Sequence, residues 1–155
     1  MALRLKFNLA TILADGFTDS QRRTFTPFIS KKSFKREYGR RAVERIIERT
    51  QSSISKTGAR FKRYSKAYSE SKVFKRFGKS RGNPNLTLFG RMLNSIHIGT
   101  TTANTVTVEI TNKKQVDKAR GHINGANNLP VRDFWGLPKG DQEDILKDLI
   151  RDAEE

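Results

Sequence analysis

The order of patterned segments predicts an α+β fold, in which an alternating strand opens the chain, one long stripe at helical spacing follows, and a hairpin pattern precedes a C-terminal helix. The strand is read from Leu3-Arg-Leu-Lys-Phe-Asn-Leu9, where apolar residues occupy every second position. The helix is read from Phe34, Tyr38, Ala42, Val43, Ile46, Ile47, Thr50 and Ile54, which recur at intervals of three and four. In the hairpin, Ile96 and Ile98 alternate with His97, and Val106, Val108 and Ile110 alternate with Thr105, Thr107 and Glu109, across the short link Thr101-Thr-Ala-Asn104.

Between these landmarks the local signals are weaker. Asp15-Gly16, Asp19-Ser20 and Pro27 predict that turns dominate from Ala14 to Ser33, with Thr26-Pro27 or Ser30 capping the long helix and Gly58 ending it. On the outer face of that helix Glu37 reaches Arg41 and Arg40 reaches Glu44, which leaves Arg45 and Arg49 free. Residues Arg60 to Arg81 read as a loop with a helical piece around Tyr68 to Lys75. A short helix is expected at Thr87 to Ser95, where Leu86, Phe89, Leu93 and Ile96 share a face. Another is expected from Lys113 to Arg120, ending at Gly121, before an irregular stretch marked by Asn124-Gly125 and Asn127-Asn128. The tail from Asp141 to Asp152 carries Ile145, Leu146, Leu149 and Ile150 on one face. Asp141, Glu143 and Asp144 suit its positive end, whereas Asp152, Glu154 and Glu155 oppose the dipole and predict fraying.

With 155 residues the chain is expected to form a single domain, 1–155, in which 1–30 is an extended N-terminal arm or strand and 31–155 an α+β body with a basic loop at 60–85. Cysteine is absent, which excludes disulfides, thiolate catalysis and Cys-based zinc sites. Charged residues interrupt the N-terminal apolar positions, no signal peptide is read there, and no run approaches the roughly 20 apolar residues of a membrane span. Synthesis in a reducing cytoplasm is expected.

The net charge of +15 is unevenly distributed. Residues 1–99 hold 23 Lys and Arg against 6 Asp and Glu, whereas residues 100–155 hold 8 against 10. Such a field attracts polyanions, and DNA, RNA, an anionic membrane surface or an acidic protein wall would each serve. The densest part interleaves Lys62, Arg63, Lys66, Lys72, Lys75, Arg76, Lys79 and Arg81 with Phe61, Tyr64, Tyr68, Phe74 and Phe77, and only Glu70 is acidic there. These eight cations are the expected contacts to DNA or to an acidic partner. The aromatics are expected to turn mainly into the core.

Reactive groups do not converge in the sequence, and no enzyme activity, metal or cofactor is expected. His97 and His122 lie far apart and fit structural or surface roles. The acids at Asp141 to Asp144 are explained by the helix dipole. Gly78-Lys-Ser-Arg-Gly82 contains Gly-Lys-Ser, but a P-loop would need its first glycine at Val73. Val131-Arg132-Asp133-Phe134-Trp135-Gly136-Leu137 sets the only tryptophan beside a phenylalanine and an ion pair. Arg132, Phe134, Trp135 and Leu137 are expected to anchor the tail helix or a subunit interface, with Arg132 bonding carboxylates or carbonyls near that helix.

Two blocks carry a resemblance. Leu86, Thr87, Gly90, Leu93, Ser95 and Ile96, with Met92 also apolar, lead into the hairpin, and Pro130, Arg132, Phe134, Gly136 and Leu137 precede the tail helix. From Tyr68-Ser-Glu-Ser-Lys72 onward this order resembles the phage virion morphogenesis family of tail-completion and head-tail neck proteins. The family's Tyr-Ala-x-x-His-x-x-Gly element is replaced here by Lys118-Ala-Arg-Gly-His122 and Gly125, without the tyrosine. The resemblance implies a long amphipathic helix packed on a small antiparallel sheet with a short C-terminal helix. It further implies a homo-oligomeric ring, sixfold or twelvefold, made in the host cytoplasm and placed in the virion's neck or tail. Its partners there are neighbouring neck, portal or tail proteins. The alternative compatible with the same charge is a cellular basic nucleic-acid-binding protein.

Overall fold

The computed structural model describes residues 1–87, 90–126 and 129–155. It is an α+β fold built on a three-stranded antiparallel sheet, in the order β1 (Leu3–Asn8), β3 (Thr105–Ile110), β2 (His97–Thr101). Leu3 pairs with Ile110 and Phe7 with Val106 on one side of β3, while His97 pairs with Glu109 and Ile98 with Val108 on the other. As the central strand β3 is the most enclosed, and Val106, Val108 and Ile110 are fully buried.

The long helix α3 (Lys32–Gln51) packs on β2 and β3 and against the last helix, α8 (Lys139–Glu154). Its predicted stripe supplies Tyr38, Ala42, Ile46 and Thr50 as fully buried residues, and the Tyr38 hydroxyl donates to the Gln142 carbonyl at 3.1 Å. Glycine at position 39 permits the close approach to the sheet. A Cβ there would lie 2.9 Å from Val106 Cγ2 and 3.1 Å from Ile98 Cγ1. Gly39→Ala is therefore expected to destabilise, because overpacking at ~1–3 kcal/mol outweighs the ~1 kcal/mol that alanine gains in a helix interior. A urea midpoint at or above that of the wild type would contradict this reading.

The first thirty residues are not an extended arm dominated by turns. After β1 they form α1 (Leu9–Gly16) and α2 (Asp19–Ile29), and Leu9, Ile12, Leu13, Phe17 and Ile29 join the same core as α3 and α8. Local capping accounts for this. Asn8 Oδ1 accepts from the Thr11 N–H, and Thr18 with Gln21 makes a reciprocal capping box at 2.9 and 3.2 Å. Pro27 lies inside α2 near its end, where it has no N–H to give to the Arg23 carbonyl; Thr26 bonds back to Arg22, and Ser30 is the C-terminal cap. Neither Thr26 nor Ser30 caps α3. Its N-cap is Lys31, which makes no side-chain capping bond.

The end of α3 also differs from expectation. It stops at Gln51, and the chain leaves through Ser53, whose φ of 64° is held by burial and by a 2.7 Å bond from its hydroxyl to the Pro84 carbonyl. Gly58 lies in a later turn. Arg45 and Arg49 are not free: Arg45 pairs with Asp141 at 3.0 Å, and buried Arg49 donates to the Phe134 carbonyl at 2.8 Å. Together with Arg41 and Asp152 at 2.7 Å, these contacts tie α3 to both ends of α8. Asp152 thus has a partner, and α8 continues to Glu154.

The remaining helices are short or shifted. The basic segment holds α4 (Lys66–Ser69) and α5 (Lys72–Arg76) in place of one helical piece. α6 (Arg91–Asn94) is shorter than expected, and Phe89 of the predicted face lies outside the described residues. α7 (Lys113–Asn124) runs past Gly121 to a left-handed cap at Gly125, φ 71°. The Asn127-Asn128 stretch also lies outside the described residues.

Candidate functional site

The basic segment is ordered by its own aromatics. Ser65 Oγ accepts from the Tyr68 N–H at 3.1 Å and Ser71 Oγ from the Phe74 N–H at 3.2 Å, so serine caps start α4 and α5 in succession. The two turns bring Tyr64, Tyr68 and Phe74 together edge to face, with centroids 5.2, 5.3 and 5.7 Å apart. Phe61, Tyr64 and Phe74 are buried, as expected of the aromatics, whereas Phe77 and Val73 remain exposed.

The segment is also fastened to the body. Arg132, only 3% exposed, donates from Nε and Nη2 to the carbonyls of Lys62 and Arg63, each at 2.9 Å. The Tyr64 carbonyl accepts from Arg81 Nε at 3.1 Å, and the Tyr64 N–H donates to the Arg81 carbonyl at 3.1 Å, which closes the segment into a loop.

Six of the eight predicted contacts, Lys62, Arg63, Lys66, Lys72, Lys75 and Arg76, are exposed and enter no ion pair among the described residues. Arg81 is exposed but partly committed to the Tyr64 carbonyl. Lys79 is a correction. It turns inward to Asn85 Oδ1 at 3.0 Å and the Thr87 carbonyl at 2.7 Å, and burial pulls its pKa below the ordinary lysine value.

The second predicted group is built into the chain itself. Phe134 is fully buried, and Trp135 and Leu137 nearly so, with the Phe134 and Trp135 rings tilted 68° at 6.1 Å. Asp133 holds the turn, accepting from the Trp135 N–H at 3.2 Å and pairing with Lys56 at 2.9 Å. Arg132 bonds carbonyls, but those of the basic segment and not carbonyls near α8.

His97 stands exposed on β2, 3.3 Å from Glu109. His122 on α7 is half-buried, its Nδ1 is enclosed without a hydrogen-bond partner, and burial and the nearby Arg132 charge push its pKa down to about 4. Sequence reading missed the convergence of His122, Lys79 and Arg132. These residues come from separate elements, and no spacing along the chain relates them.

No family model matches the chain, and no similar curated protein or solved structure was found.

Proposed function

We propose that this protein is a structural component of a tailed-phage virion, a ring-forming neck or tail-completion subunit that joins neighbouring virion proteins around the DNA passage. The observation that carries this reading is the set of six exposed cations from Lys62 to Arg76 that enter no ion pair among the described residues, on a segment tied down at both ends. An array held in place by capped turns and an aromatic cluster meets a polyanion without first ordering itself, which lowers the entropic cost of binding. The ordered blocks Leu86 to Ile96 and Pro130 to Leu137, with their resemblance to virion morphogenesis proteins, support the setting. The role is one of geometry and charge, not of catalysis.

Purified full-length protein should bind duplex DNA without sequence preference. If all six cations meet phosphates, log affinity falls by about 5 per log unit of salt, at ~0.9 for each contact. Replacing Lys72, Lys75 and Arg76 together by glutamine should reduce that slope by about half. Absence of binding at low salt, or a slope unchanged by the triple substitution, would assign these charges to an acidic protein wall. Electron microscopy tests the assembly: rings support the virion reading, and monomers that bind RNA would replace it with a cellular nucleic-acid-binding protein.

A further inference from the structure

Between the basic segment, α7 and residues 129–132 lies a cavity of about 450 Å³. Its walls are mostly apolar, with Tyr64, Tyr68, Met92 and Pro130 among them, and among the described residues no Asp or Glu lines it. Two cations reach its interior. Arg132 Cζ lies 4.9 Å and Lys79 Nζ 5.2 Å from the centroid of the same Tyr64 ring. Both bond only neutral acceptors: the carbonyls of Lys62, Arg63 and Thr87, and the Asn85 amide oxygen. Neither has a carboxylate partner among the described residues.

Withdrawing a charge from water is costly unless an opposite charge compensates, and here the two cations share the face of a phenol ring. The neighbouring His122 Nδ1 is a further enclosed polar atom lacking a partner, and Lys118 stands at the rim. A positively charged recess of this volume, walled by aromatic and aliphatic groups, is complementary to an anion carried on a flat apolar body.

We propose that the cavity binds a nucleotide, with its phosphate meeting Lys79 and Arg132 and its base lying against the tyrosine-lined apolar wall. A phosphate monoester brings close to two negative charges and several acceptor oxygens, enough for both interior cations and for Lys118. An acidic side chain brings one charge and no body to cover the apolar wall. The site is independent of whether the exposed cations meet DNA, because its interior groups are enclosed and not part of that array.

The experiment is calorimetric titration of the full chain with adenosine 5′-monophosphate, inorganic phosphate and adenosine, at salt high enough to screen the exposed cations. The monophosphate should bind at one site, roughly tenfold or more tighter than either fragment, since charge-assisted bonds and stacking each add over a kilocalorie. Lys79→Met should weaken it by roughly tenfold or more, with an unchanged circular dichroism spectrum, whereas Arg23→Gln, on exposed α2 surface away from the cavity, should leave it unchanged. The His122 ring resonances should shift on saturation. A 5′-phosphorylated single strand that binds more tightly than the mononucleotide would identify a strand end as the source, and one that binds no tighter would identify the free nucleotide. Equal binding of adenosine and its monophosphate, indifference to Lys79→Met, or tighter binding of a glutamyl dipeptide would each overturn the proposal.

Discussion

Phe134→Ala is expected to lower the stability of the chain by about 3–5 kcal/mol, the range found when a buried aromatic is truncated. The side chain is fully buried in the core cluster that also holds α1, α3, β3 and α8 residues, so its removal leaves a void in the core. The carbonyl bond from Arg49 survives the substitution, because Phe134 contributes it through its backbone, and the loss is therefore one of packing. Val131→Ala, three residues earlier and 61% exposed, should change stability by less than about 0.5 kcal/mol. Urea unfolding of both variants checks the contrast. Trp135→Ala should fall near Phe134→Ala and, on the proposed virion role, would impair assembly by depleting the folded chain. Intact stability with lost assembly would instead make Trp135 a contact between subunits.

Where the pattern is periodic and the burial one-sided, the sequence is readable. The stripe of Phe34, Tyr38, Ala42 and Ile46 and the alternation of Val106, Val108 and Ile110 each encode which face meets the core, and both do so in the structure. Gly16 misled because it closes α1 and does not prevent it, and Pro27 because the capping box of Thr18 with Gln21 starts α2 eight residues before the proline removes one N–H near its end. Counting cations located the basic segment, yet charge carries no information about direction. Lys79 and Lys75 are equivalent in composition, but only Lys79 has Asn85 and Thr87 placed to receive it. The place of Arg132 in the chain predicts bonds to groups near the tail helix. That it would clasp Lys62 and Arg63, and meet Lys79 across Tyr64, depends on tertiary contacts between distant segments.

His122 gives the chain a stability that declines as pH falls through a defined window. Its pKa in the folded protein is about 4, against 6.5 for the free side chain, because burial disfavours the imidazolium and Arg132 repels it. Lys79 across the cavity and Lys118 on the same helix add charge of the same sign, and the Tyr64 phenol facing them remains neutral in this range. Between these two values the unfolded chain binds a proton that the folded chain refuses, so the stabilisation is complete above pH 6.5 and is lost progressively towards pH 4. After allowance for partial exposure, the loss is about 2–3 kcal/mol. Glu37, held below the usual carboxylate range chiefly by its bond to Arg40, begins to lose its contribution near the ordinary value of 4.5 and so overlaps only the acid end of this window. Urea midpoints taken across the window for the wild type and for His122→Gln separate the two effects. The variant should be flatter between pH 6.5 and pH 4, because glutamine does not titrate. A variant that declined as steeply as the wild type would mean that His122 already accepts its proton in the folded chain, with the imidazolium tolerated beside Arg132.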